Sequence, residues 1–181
     1  IIFGDVSPSG KLPVTFPMSL DDLPPYEDYA MTGRTYRYMD KAPMFPFGFG
    51  LSYASFSYQG LTADHNTLKN SKDQINLTVD VKNDSKVAGD EVVQLYIAVP
   101  TQSYQTPKYA LKSFKRTHFG PGASEKINFS LTAKDLEVYD AKGNAVLPKG
   151  TYEVYVGGSS PVARSQELGA PKMAELQIEV R

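Results

Sequence analysis

The sequence predicts a mainly β protein whose larger part is an antiparallel sandwich of two sheets, of the immunoglobulin-like type. Two observations predict this fold. From residue 51 onward, about seven short segments carry apolar and aromatic side chains, mostly at alternate positions, with clusters of Gly, Pro, Asn and Asp between them. No stretch with helical periodicity lies between these segments, which favours antiparallel pairing of neighbouring strands.

The strand candidates are defined by their alternation. Ser52 to Gln59 is the first and is rich in aromatic residues. Gln74 to Lys82 places four apolar residues on one face, and Glu91 to Val99 repeats the pattern. The remaining candidates are Leu111 to Phe119, Lys126 to Leu131, Leu136 to Tyr139, Thr151 to Val156 and Glu175 to Val180.

Residues 1–50, which we call the arm, have a different character. The chain opens on Ile1, Ile2 and Phe3, an apolar start that we expect to be the end of an element belonging to a longer protein; the alternative is a processed terminus that packs on its own domain. Prolines then exclude a long helix, and Ser19 to Asp22 could form one helical turn. We therefore expect an extended arm that crosses another surface.

The segment Gly33 to Tyr53 contains too many aromatic residues for a generic linker. Around Arg34 an extended backbone would place Arg34, Tyr36 and Tyr38 on one face and Thr35, Arg37 and Met39 on the other, so both faces carry large groups. Such a strand is typical of an arm held between two bodies. Six aromatic side chains here need burial: Tyr36, Tyr38, Phe45, Phe47, Phe49 and Tyr53.

Composition excludes several classes of function. A net charge of −1 provides no field to attract nucleic acid or an anionic membrane, so neither is expected as a partner. The absence of Cys excludes disulfides, Cys-ligated zinc and thiol catalysis. No apolar run approaches the ~20 residues that span a bilayer.

The residues that could carry chemistry form no catalytic constellation. His65 and His118 have no neighbours at metal-ligand spacing, so no metal site is expected. A retaining glycosidase needs two carboxyl groups about 5 Å apart, whereas adjacent residues on an extended chain point in opposite directions. The pairs Asp21-Asp22, Glu27-Asp28 and Asp90-Glu91 are therefore interpreted as solvated or capping groups.

Six segments, in order, resemble the C-terminal part of glycoside hydrolase family three enzymes. They are GDVSPSGKLPVTFP (residues 4–17), GRTYRYM (33–39), FPFGFGLSYASF (45–56), VKNDSKVAGDEVVQLYI (81–97), LKSFKRTHFGPGASEKINFSL (111–131) and PKGTYEVYVGGSS (148–160). The resemblance covers nearly the whole chain.

The resemblance implies a division at residue 50. Residues 1–50 would be the C-terminal segment of an α/β sandwich domain with its connecting arm, and residues 51–181 a fibronectin type III-like sandwich. The family's enzymes cleave β-linked sugars from non-reducing ends with retention, using an Asp nucleophile and an acid/base from domains upstream. No catalytic residue and no cofactor are therefore expected in this chain, and a periplasmic or extracellular location is favoured.

Three hypotheses about function follow. The parent protein would be a β-glucosidase or a β-xylosidase, and the wording GRTYRY, with its Thr, leans towards β-xylosidases while leaving glucose and xylose both open. Within the chain, Arg34, Tyr36, Arg37 and Tyr38 would either line the approach to a β-linked oligosaccharide or pin the arm to its domain. Interdomain packing is expected from Phe45, Phe47, Phe49 and Tyr53.

The rival hypothesis is a free-standing sandwich module that binds carbohydrate or a protein surface without catalysis. It would require an exposed aromatic platform, whose candidates are Tyr96, Tyr104, Tyr109 and Tyr155. The absence of Trp weakens this hypothesis, because sugar-binding platforms favour broad aromatic faces.

Overall fold

The computed structural model describes residues 1–70, 72–100, 102 and 105–181. Its strands are β1 Phe56–Ala63, β2 Thr67–Leu68, β3 Gln74–Asn83, β4 Gly89–Ala98, β5 Ala110–Phe119, β6 Ser124–Thr132, β7 Val138–Tyr139, β8 Ala145–Val146, β9 Gly150–Gly157 and β10 Ala174–Val180. One sheet has the order β1-β3-β6 and the larger sheet the order β2-β10-β9-β4-β5, while β7 and β8 pair in a small two-stranded sheet. The predicted mainly β sandwich is thus confirmed.

The core lies between these two sheets and follows from the alternation in the sequence. In β3, Ile75, Leu77, Val79 and Val81 are all fully buried, while the residues between them face outward. The inward residues of β4 and β9 meet them from the other sheet, and Phe56 packs edge-on against Phe119. Burying each of these large side chains contributes roughly 1.5–3 kcal/mol.

The structure contains strands in the predicted segments, but several of the predicted strand ends were wrong. The first strand begins at Phe56 rather than Ser52 and continues to Ala63. The candidate Leu136 to Tyr139 is a strand only at Val138–Tyr139, because Leu136 ends a helical turn. The two-residue strands β2 and β8 were not predicted, since pairs this short carry no periodicity.

The expectation of no helix between the strands was wrong. A helical turn, α2 (Ala133–Leu136), follows β6, and α3 (Ala163–Glu167) lies between β9 and β10. Thr132 begins α2 as a capping box, in which the Asp135 carboxylate accepts hydrogen bonds from the Thr132 backbone and hydroxyl. Turns of four or five residues are decided by such local hydrogen bonds, which an apolar-periodicity criterion does not detect.

The arm lies across the outer face of the larger sheet as an irregular chain. Its residues 12–16 exchange backbone hydrogen bonds with residues 44–49, including Phe16 N–H to Phe45 O at 2.9 Å and Gly48 N–H to Leu12 O at 2.8 Å. The predicted helical turn near Ser19 is present as a 3₁₀ turn at Leu20–Asp22.

The strand predicted around Arg34 is not formed. Residues Thr35–Tyr38 make a single helical turn, α1, with Met39 N–H bonded to Thr35 O at 2.9 Å. Gly33 (φ 71°) and Thr35 (φ 55°) both have left-handed backbone, which breaks any extended strand at this point. Alternating large residues over so short a window fit a strand and a helical turn equally well, and contacts with the sandwich decide between them.

Candidate interdomain site

A buried ion pair fastens the arm to the sandwich. Lys11 of the arm places its Nζ 3.1 Å from Oε1 and 3.3 Å from Oε2 of Glu91, on β4. The Tyr58 hydroxyl, from β1, donates to the same Glu91 Oε1 at 2.7 Å. The Glu91 side chain is only 3% exposed and that of Lys11 15%, so the pair is largely removed from water.

The pKa shifts of Glu91 and Tyr58 are those of a buried pair with a structural role. Burial raises the pKa of Glu91, and the Lys11 ammonium and the Tyr58 hydroxyl oppose the rise by stabilising the carboxylate. Burial, with the Glu91 charge added to it, raises the pKa of the Tyr58 hydroxyl well above its ordinary value. The Gly158 backbone packs closely against the carboxylate, because a Cβ there would lie 2.3 Å from Glu91 Oε1.

A second fastening uses the GFG part of the arm. Gln94 Nε2 donates to Gly48 O at 3.0 Å and to Gly158 O at 2.9 Å, and the Tyr96 hydroxyl donates to Gln94 Oε1 at 2.5 Å. Gly48 has φ 76°, and a Cβ there would lie 2.2 Å from Gln94 Oε1. The left-handed φ and the buried Gln94 and Tyr96 side chains beside it together favour glycine at this position.

Two aromatic side chains of the arm close over this site. The Tyr36 ring stacks on the Phe47 ring with centroids 4.2 Å apart and planes at 12°, and both rings meet Tyr96 edge-on. The Tyr36 hydroxyl also accepts the Leu111 N–H of β5 at 3.0 Å. Tyr36 therefore belongs to the docked interface between the arm and the sandwich.

Arg34 organises the arm itself. Its Nε donates to Ala30 O at 3.1 Å, and its Nη2 donates to Pro25 O at 3.1 Å and to Asp28 O at 2.5 Å. Three carbonyls of the preceding loop thus converge on one guanidinium. This geometry places Arg34 in a loop-closing role.

Arg37 and Tyr38 lie at the surface and do not fasten the arm to the sheet. Arg37 is exposed, and its carbonyl accepts the Lys108 N–H at 2.7 Å. Its charge lies close enough to act on Lys112, whose pKa is lowered first by burial and then by Arg37. Among the four residues singled out from the sequence, the structure thus brings Tyr36 onto the sheet, uses Arg34 internally and leaves Arg37 and the half-buried Tyr38 at the surface.

The residues expected to pack between domains divide into two groups. Phe49 is buried and Phe47 half-buried within this chain, whereas Phe45 and Tyr53 are exposed. Tyr53 holds the start of the chain, because its hydroxyl donates to Ile1 O at 2.7 Å. Phe45 lies beside a hollow of about 900 Å³ whose apolar lining includes Ile1, Val6, Phe49 and Leu51.

Of the carboxylate pairs considered from the sequence, only Glu91 belongs to this site, and its interpretation as a solvated or capping group was wrong because the side chain is buried and paired with Lys11. Asp90 and Glu91 point in opposite directions, and Asp90 accepts from Arg116 and lies 2.6 Å from His118 Nδ1. The His118 hydrogen bond, followed by Arg116, lowers the pKa of Asp90. Asp22 caps its 3₁₀ turn and pairs with Lys41 at 2.8 Å.

Within residues 1–70, 72–100, 102 and 105–181, no three His, Cys, Asp or Glu side chains are grouped to hold a metal ion. In the same part of the chain, no helix has the length and apolar character needed to cross a membrane.

The exposed aromatic platform of the rival hypothesis is not formed as expected. Tyr96 is fully buried under Tyr36 and Phe47, and Tyr104 lies outside the described residues. Tyr109 and Tyr155 do lie together, with centroids 5.9 Å apart and rings nearly perpendicular.

Sequence reasoning did not find the contacts that fasten the arm. Lys11, Glu91, Gln94 and Tyr58 are polar groups whose importance comes from burial, and their separations along the chain, 80 residues for Lys11 and Glu91, leave no local pattern. The one available signal was Glu91, a charged residue at an inward-alternating position of its strand.

Comparisons with known proteins agree with this arrangement. Residues 1–53 match the family model described as the glycosyl hydrolase family 3 C-terminal domain, and residues 91–160 match a fibronectin type III-like domain. A putative beta-xylosidase of Formosa agariphila is 38% identical over 164 residues, covering 88% of this chain and 21% of that protein. A probable beta-glucosidase I of Aspergillus oryzae is 37% identical over 178 residues, with the same two shares.

Solved structures show the same likeness. A GH3 beta-glucosidase of Bifidobacterium adolescentis superposes with a TM-score of 0.77 at 34% identity, covering 98% of this chain and 27% of that one. A beta-D-glucoside glucohydrolase of Trichoderma reesei gives a TM-score of 0.82 at 28% identity, covering 100% and 28%. The chain thus spans about a fifth to a quarter of the length of these relatives.

Proposed function

Because the chain carries the C-terminal domain of glycosyl hydrolase family 3 followed by a fibronectin type III-like domain, we propose that it is the C-terminal portion of a retaining, exo-acting β-glycosidase. The parent enzyme removes terminal β-linked sugars from oligosaccharides or glycosides. This portion stabilises and positions the catalytic domains, while the nucleophile and the acid/base belong to the rest of the enzyme.

The observation that carries the proposal is the contrast between the fastened and the open parts of the arm. Buried polar contacts hold Lys11 and Gly48 on the sandwich. Next to Lys11, an open hollow is lined by the apolar side chains of Ile1, Val6, Phe45 and Leu51. An arm that is fixed to the sandwich and still has open apolar surface is suited to join a second body, and the proposed partners are the α/β and barrel domains of the same enzyme.

The buried carboxylate of Glu91 fits this non-catalytic role. A retaining glycosidase uses a second carboxyl group about 5–5.5 Å from the first, with the substrate between them. Glu91 instead accepts hydrogen bonds from Lys11 and Tyr58 and faces a Gly158 backbone with no room for a side chain. We assign it to the fastening of the arm.

The division at residue 50 and the substrate-proximal residues are part of the same proposal. Arg37 and Tyr38 keep surface positions on α1, and we propose them as the pair nearest the substrate approach, with Arg34 and Tyr36 holding the turn in place. The left-handed backbone of Thr35 is consistent with a turn whose shape is enforced by its surroundings.

The parent's sugar preference is tested with the full-length protein. We expect hydrolysis of 4-nitrophenyl β-glucoside with release of a sugar of retained configuration, measured by absorbance and by NMR of the first product. Faster hydrolysis of the β-xyloside would instead establish the alternative, a β-xylosidase. The similar proteins include both a beta-xylosidase and a beta-glucosidase, so the two activities are tested together. Failure to hydrolyse either glycoside would contradict the proposed activity.

A further inference from the structure

The arm covers only part of the outer face of the larger sheet. Tyr96 on β4 is the cross-strand partner of Tyr155 on β9, which in turn pairs with Glu175 on β10. Directly paired residues of antiparallel strands share a face, so these three side chains lie in one row. The arm buries Tyr96 at one end of the row, whereas Tyr155 and Glu175 line an open groove at the other.

The lining of this groove is polar with one aromatic wall. It has a volume of about 410 Å³ and includes Asn66, Glu153, Tyr155, Glu175 and Gln177. The Tyr155 hydroxyl donates to Glu153 Oε2, which fixes the ring, and the Tyr109 ring meets it edge-on. The groove thus presents an oriented aromatic ring beside carboxylate and amide groups.

A smaller cavity adjoins the groove. It measures about 100 Å³, lies beside α3 and shares Tyr155 and Glu175 with the groove. Ser160 lines it, is fully buried, and has a hydroxyl with no hydrogen-bond partner among the described residues. The neighbouring hydroxyls of Ser159 and Ser165 are paired with each other at 2.9 Å, so the unpaired Ser160 group stands apart. An unsatisfied buried hydroxyl calls for a polar partner in the cavity.

We propose that this groove and cavity bind a neutral, hydroxyl-rich ligand, a β-linked oligosaccharide, with Tyr155 stacking on a sugar ring and Ser160 bonding a sugar hydroxyl. Sugar hydroxyls both donate and accept, which matches carboxylates and amides together. The two glutamates disfavour anionic ligands. The β linkage and the absence of charge on the ligand rest on the proposed function, whereas the exclusion of anions and the preference for hydroxyl groups come from the groove itself.

Titration of the 181-residue chain with cellotetraose and xylotetraose, followed by isothermal titration calorimetry or NMR, tests this site. We expect binding of at least one of them and none of a tetragalacturonate. Tyr155→Ala should weaken binding about tenfold and Ser160→Ala about threefold to tenfold. Tyr139→Ala, which alters an exposed tyrosine on β7, is the matched control and should leave binding unchanged.

Several results would overturn the site. These are no binding of either tetrasaccharide, an equal loss with Tyr139→Ala, or full binding by Tyr155→Ala. Ser160→Ala should also keep or raise the thermal midpoint, because it removes an unpaired polar group; a lowered midpoint would give the hydroxyl a structural role and contradict its part in binding. Binding without glycoside hydrolysis by the full-length protein would refute only the proposed activity, and hydrolysis without binding would refute only this site.

Discussion

Replacing Lys11 with alanine is expected to lower the free energy of unfolding by about 3–5 kcal/mol, the usual cost of removing one partner of a buried ion pair. The substitution leaves the Glu91 carboxylate, 3% exposed, with only the Tyr58 hydroxyl to satisfy it. The arm then loses its ion pair with β4 and keeps the hydrogen bond from Gln94 to Gly48 O. Chemical denaturation of the chain, monitored by tyrosine fluorescence and circular dichroism, measures the loss.

Lys41→Ala is the matched control for this experiment. Lys41 is also an arm lysine paired with a carboxylate, that of Asp22 at 2.8 Å, but the Lys41 side chain is 63% exposed. Exposed pairs contribute about 0–1 kcal/mol, so the control should change stability little. Equal effects of the two substitutions would mean that burial does not distinguish these pairs, and the fastening of the arm would have to be explained by other contacts.

The second large effect is expected from Phe47→Ala, which should cost about 3 kcal/mol, at the lower end for a phenylalanine because the ring is half-buried. Its loss removes the stack with Tyr36 and the edge contact with Tyr96. For a chain of this length the thermal midpoint should fall by about 6–12 °C.

Phe3→Ala provides the comparison for Phe47→Ala. Phe3 is an arm phenylalanine that is 92% exposed in this chain, so its removal should leave the midpoint within about 2 °C. An unchanged midpoint in Phe47→Ala would show that the aromatic cluster does not hold the arm on the sandwich.

Much of the sandwich could be predicted from the sequence because its strands obey a simple rule. In β3 every second residue is apolar and each of those residues is buried, so alternation and burial coincide. The strand ends were less predictable, as Ser52 shows, because the residues before Phe56 turn towards the arm: the Ser52 hydroxyl lies 3.0 Å from that of Ser7.

The site could be predicted only in part, for a physical reason. The composition of the aromatic segment is unusual and marks it in the sequence, yet its backbone at Thr35–Tyr38 is a helical turn, in which Tyr36 contacts both Phe47 and Leu111. Lys11 and Glu91 could not be paired from the sequence, because their attraction depends on a fold that joins positions distant along the chain. The protein class could be predicted from the resemblance to a family, whereas the contacts that hold the arm on the sandwich are visible only in the folded structure.

The most direct test of the account compares hydrolysis of 4-nitrophenyl β-glucoside and β-xyloside by the 181-residue chain alone and by the full-length protein at equal molar concentration. We expect turnover by the full-length protein on at least one glycoside and none by the isolated chain, because the nucleophile and the acid/base are proposed to belong to the rest of the enzyme. Turnover by the purified chain that persists through further chromatography would contradict it, because catalysis would then reside in residues 1–181.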